Sequence, residues 1–188
     1  MIIGYELGVY FAVASLAIAC VISVWRGFSA ARTLATLLVS LYIPVLFTVE
    51  LLPLSIGWDP MLSHNLGIFP IPFTLIVTKW GELAESQLGL FYLGLAKMTI
   101  PLLPLGLLAP IIWQRYRRLQ SISLLLMVTS FGIELVQLIE DAIMGTFSKR
   151  ISFDEALLAF IGGLVGYGLW MATSRIIAKS SKTGIASN

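Results

Sequence analysis

Residues 122–139 read ISLLLMVTSFGIELVQLI, and the polar side chains inside this apolar run decide the fold. A run this long and this poor in charge is the length at which a helix crosses the hydrocarbon core of a bilayer. Ser130, Glu134 and Gln137, with Asp141 just beyond, recur at spacings of four, three and four, which puts them on one helical face. Lipid cannot satisfy hydrogen-bonding groups, so that face must meet protein or water. The run is therefore expected to be one member of a bundle, with lipid on its other sides.

Working outward, four further runs have comparable length and apolarity: Tyr5 to Trp25, Leu34 to Ile56, Leu88 to Trp113 and Ala156 to Ile177. A crossing needs about 20 residues for a core of about 30 Å. The totals agree, with 58% hydrophobic residues, 12% charged residues and a mean hydropathy of +0.93 over 188 residues. A water-soluble domain of that size could not hide so much apolar surface. The expected fold is all-α, an integral membrane bundle of about five transmembrane helices forming one domain over residues 1–188. Residues 57–87 are too polar and too rich in Pro and Gly to span. Pro70-Ile71-Pro72-Phe73 marks a turn there, and the residues on to Gln87 are expected as a short interfacial helix.

Charge orients the bundle. Arg26, Arg32, Arg115, Arg117, Arg118, Arg175, Lys179 and Lys182 all fall on one side of a five-crossing path. Basic residues near helix ends stay cytoplasmic during insertion, so the expected N-terminus is outside and the C-terminus cytoplasmic. Every acid falls on the opposite, outer half. The formal net charge of +2 and the absence of a long basic tract leave nucleic acid out as a partner. Cys20 is the sole cysteine, so no disulfide or thiolate cluster forms within one chain. It reads as a buried, inert thiol.

Glu50, Lys97 and Glu134 are the ionisable groups expected at membrane depth, where a charge costs at least about 2.5–3.5 kcal/mol. A buried Lys97 paired with Glu134 or Glu50 is the natural arrangement, serving either as a structural ion pair or as part of a polar pocket open to the outside, with snorkelling to the interface as the remaining alternative. Gly162-x-x-x-Gly166, within Gly162, Gly163, Gly166 and Gly168, predicts close helix packing inside the bundle. Pro101, Pro104 and Pro110 predict a broken third crossing, and Pro44 a kink in the second. No catalytic signature or dinucleotide fingerprint is present, and His64 is the only histidine. Neither enzymatic activity nor a metal or other cofactor is expected.

Pro104-Leu105-Gly106, Ser130-Phe131-Gly132-Ile133-Glu134-Leu135-Val136-Gln137, Lys149-Arg150 and Gly162-Gly163-Leu164-Val165-Gly166-Tyr167 stand in order along the chain. Together they resemble the VanZ-like membrane protein family. Asn65 and Ile71-Pro72-Phe73-Thr74-Leu75-Ile76 resemble its upstream loop, so the likeness covers about Arg32 to Trp170. The chain departs at Met98, where the family carries Asn, and at Ser152, Glu155 and Ala159, where it carries Asp and Asn. The resemblance implies a bacterial envelope protein in the inner, cytoplasmic membrane. The family's namesake is linked to low-level resistance to the lipoglycopeptide teicoplanin.

Two functions follow as expectations. In the first, an outward polar pocket lined by Glu134, Gln137 and Lys97, with Arg150 on its outer rim, binds a lipid-linked envelope component or lipophilic glycopeptide, and the resemblance adds Ser130, Glu155 and Asn65 to its residues. In the second, the chain is a structural accessory subunit of a larger membrane complex. Membrane lipid is the expected partner, with a larger complex or a homodimer as the protein contact.

Overall fold

The computed structural model describes residues 5–51, 88–144 and 153–185, which are helical almost throughout. In chain order they form α1 (Tyr5–Trp25), α2 (Ala30–Leu51), α3 (Leu88–Thr99), a 3-10 turn (Ile100–Leu102), α4 (Leu103–Ile112), a second 3-10 turn (Gln114–Arg117), α5 (Leu119–Met144) and α6 (Phe153–Ile185). Five segments are long and apolar enough to cross a membrane, with α3 and α4 together making the third. The protein is a multi-pass membrane protein. Outward-facing side chains on α5, such as Leu124, Met127, Val128, Leu135 and Ile139, are large and apolar, the pattern of a surface bathed in lipid.

α1 reverses into α2 through a Schellman turn. Gly27 takes a left-handed φ of 56°, the N–H of Phe28 donates to the Ser23 carbonyl at 3.2 Å, and the N–H of Gly27 donates to Val24 at 3.2 Å. These two bonds use carbonyls that a helix end otherwise leaves open, and glycine takes the left-handed position without a Cβ clash. α1 then lies along α2, its Gly8 against the Thr48 side chain. Cys20, expected to be buried, is exposed. Among the described residues α1 packs extensively on α2 alone, so an apolar neighbourhood in this helix does not by itself mean core.

The prolines leave carbonyls without their helical donors, and neighbouring side chains supply replacements. Pro44 cannot donate to the Ser40 carbonyl, and the Ser15 hydroxyl of α1 reaches that oxygen across the helix pair. The third crossing breaks at Pro101 and Pro104, where the Tyr42 hydroxyl of α2 donates to the Pro101 carbonyl. Tyr42→Phe keeps the ring and removes this donor. It should lower stability by about 1 kcal/mol, read as a lower melting temperature of the detergent-solubilised protein.

The core is built where α4, α5 and α6 meet, from Leu102, Leu105, Ala109, Ile122, Leu126 and Tyr167. Its tightest seam is glycine on backbone. A Cβ on Gly162 would fall 2.8 Å from the Thr99 carbonyl carbon, one on Gly106 2.8 Å from that of Gly163, and one on Gly166 3.0 Å from that of Leu103, with the oxygens nearer still. The Gly-x-x-x-Gly spacing therefore serves packing within the bundle. α6 starts earlier than the apolar pattern predicts, at Phe153, whose ring packs 5.4 Å from Phe131 of α5. Asp154 and Glu155 in its first turn complement the positive end of the helix dipole.

Candidate functional site

Three elements converge on a cavity of about 200 Å³ at the end of the bundle opposite the Arg115–Arg118 turn. α3 contributes Gly94, Lys97, Met98 and Pro101 up to its break, α5 contributes Ser130, Ile133 and Glu134, and the start of α6 contributes Glu155, Ala156 and Ala159. α5 runs away from the arginine turn and α6 runs back towards it. Their shared end therefore brings the polar stripe of α5 level with the acidic first turn of α6. The α3 break at Pro101 forms the inner limit of the cavity.

Four of the expected site residues, Ser130, Glu134, Lys97 and Glu155, line this one space. Ser130 is 2% exposed and its hydroxyl donates to the Met127 carbonyl at 3.2 Å, so it is a wall rather than a free donor. Glu134 is half-buried, with its Oε2 atom inside the protein. Gln137 is buried on the same face of α5, one turn further on and outside the cavity lining. Asn65 and Arg150 lie outside the described residues, as do residues 57–87 with the expected interfacial helix.

Lys97 corrects one expectation. It is exposed rather than buried, and it forms no ion pair with Glu134 or Glu155. A lysine carries its charge on a flexible stem, so a residue that lines the cavity can be exposed at the same time. The cation and the two carboxylates thus share a cavity without closing on one another. Such an arrangement places one cation and two carboxylates around a single space. Elsewhere the spaces are larger and greasier: a groove of about 470 Å³ between α1 and α2 is walled mainly by residues such as Phe11, Ile18, Val39 and Phe47.

Two features escape a reading of the residues alone. Asp154 is 1% exposed, one of the most deeply buried polar side chains described, beside the cavity-lining Glu155. Its signal was an Asp-Glu pair opening a helix, which the outer-acid grouping of the sequence obscured. Of the positions that depart from the family pattern, Met98, Glu155 and Ala159 line the cavity, and Ser152 lies outside the described residues. The departures are therefore concentrated at the site itself.

A family model described as VanZ/LLP1 matches residues 37–177, from within α2 to within α6. No curated protein and no solved structure matches the chain.

Proposed function

The chain belongs to the VanZ/LLP1 family, and on that premise we propose that it binds the polar head of a lipid-linked envelope component in the cavity of Lys97, Glu134 and Glu155, opening to the outer face of the bacterial inner membrane. The observation that carries this reading is one cation and two carboxylates lining a single cavity of a membrane bundle. Charge at membrane depth is costly enough that it ordinarily marks a functional pathway or site. Volume selects among ligands. Small-molecule pockets usually run to about 300–1,000 Å³, so a space of about 200 Å³ suits a headgroup, not a whole glycopeptide. The acyl or prenyl chain of such a ligand would stay in lipid beside the bundle.

In this reading the carboxylates accept hydrogen bonds from hydroxyl or amine groups of the head, and Lys97 meets its phosphate or carboxylate. Glu134→Gln should therefore weaken binding roughly 10- to 100-fold, the worth of about 1.5–3 kcal/mol for a hydrogen bond to a charged group. In cells, protein and variant are compared at matched abundance for teicoplanin susceptibility. A Glu134→Gln strain expected to lie close to the strain without the gene, but indistinguishable from wild type, would count against the pocket.

Met98 and Ala159 favour a second reading, an accessory subunit of a larger membrane complex. Apolar side chains at these cavity positions reduce the polarity available to a ligand. Its signature would be a stoichiometric partner protein retained through purification in mild detergent.

A further inference from the structure

At the opposite end of the bundle, two grooves meet at the 3-10 turn Gln114–Arg117 and share Arg115, Tyr116 and Leu125. The first, about 490 Å³, runs between α2, α4 and α5 along Val39, Ile43, Leu46 and Leu105. The second, about 310 Å³, starts at Gln120 and Ser121 and continues along Leu124 and Val128 of α5. Both lead away from the turn along apolar side chains, with Tyr116 lining each. We infer that they hold the two acyl chains of one anionic phospholipid whose phosphodiester is bound by Arg115.

Charge complementarity commits the grooves to this occupant. The turn carries Arg115, Arg117 and Arg118, and the segment from Trp113 to Ser121 contains no acid. Arg117 is already engaged, its Nε donating to the Pro110 carbonyl at 3.3 Å while its own carbonyl accepts from the Tyr167 hydroxyl at 2.8 Å. The Arg115 side chain makes no hydrogen bond or ion pair among the described residues, yet it lines both grooves. A guanidinium fork suits phosphate oxygens, and basic pockets between membrane helices are where anionic headgroups settle. Depth agrees as well: the rings of Trp113 and Tyr116 pack edge to face with centroids 5.8 Å apart, and such aromatic pairs favour the headgroup level of a bilayer. A phosphate there and chains beside Leu105 and Val128 follow the ordinary orientation of a lipid in its leaflet.

The test uses the full chain in mild detergent with equal amounts of phosphatidylglycerol and phosphatidylcholine, and native mass spectrometry to count what is retained. One phosphatidylglycerol should remain in preference to phosphatidylcholine. Arg115→Gln should cut that preference about five-fold, the effect of one basic residue at an anionic surface. Arg118→Gln removes the same charge from the same turn but touches neither groove, and should leave the preference unchanged. Leu124→Trp fills the second groove with all charges intact and should reduce retention of both lipids. The inference is overturned if wild type shows no preference, if Arg118→Gln matches Arg115→Gln, if inorganic phosphate displaces the lipid, or if a second copy of the chain is retained in the lipid's place. Melting temperatures near wild type for each variant keep these outcomes separate from misfolding.

Discussion

Gly162→Leu is expected to lower the melting temperature and the membrane abundance of the protein more than any other substitution considered. A side chain at this position meets the Thr99 carbonyl, and backbone, unlike a side-chain tip, cannot rotate away. α6 would have to move off the third crossing. The same displacement would open the contacts of Gly106 with Gly163 and of Gly166 with Leu103, which lie on the same seam. Overpacking of a well-fitted core costs about 1–3 kcal/mol at one site and sometimes more, against a total stability of about 5–15 kcal/mol. No hydrophobic effect draws the parted helices together again, since lipid is as apolar as leucine. Gly132→Leu and Gly168→Leu are the controls, because a Cβ at either position meets nothing within 4 Å. These should match or slightly exceed wild type, helical glycine being about 1 kcal/mol less favourable than alanine. Equal melting temperatures for Gly162→Leu and Gly132→Leu in mild detergent would refute the seam.

Lys97→Glu carries the next largest effect. It exchanges the cation of a cavity of about 200 Å³ for a third carboxylate facing Glu134 and Glu155. The added like charge repels both carboxylates, with the effect reduced by solvent because position 97 is exposed. The expected result is a lower melting temperature and lower membrane abundance. Lys97→Met removes the charge without adding an opposing one and should cost much less. The decisive variant is the exchange, Lys97→Glu with Glu134→Lys, which restores one cation and two carboxylates to the cavity. Recovery of most of the lost stability would give a coupling free energy between the two positions. Additive losses would mean that they do not face the same space.

The bilayer explains why so much of this fold is legible in the residues and why the remainder is not. A crossing must be long, apolar and internally hydrogen-bonded, so the runs around Tyr5–Trp25 and Leu119–Met144 announce themselves. Pro101 and Pro104 mark the break in the third crossing, and the glycines of α6 mark its closest contact. The stripe on α5 likewise foretells its inward face, with Ser130 and Gln137 buried and Leu135 and Val136 exposed. Apolarity, however, does not distinguish lipid from protein neighbours. Cys20 reads as buried on composition and is exposed, α1 having one extensive neighbour among the described residues. Pairing is also illegible: Lys97 and Glu134 meet at one cavity, but the length of a lysine stem lets the charges stay apart. Asp154 was hidden for a third reason, since the burial of a carboxylate at a helix start depends on how neighbouring elements close over it.

The family match begins at residue 37, after α1 and the opening of α2, and α1 leans on α2 without sharing in the core of α4, α5 and α6. The first helix thus lies outside both the described core and the lining of the polar cavity. A transplanted helix that keeps a hydroxyl for the Ser40 carbonyl and a small residue opposite Thr48 should serve equally well. Swapping it would offer a route to tethering this bundle to other membrane assemblies while its ligand preference stays as it was.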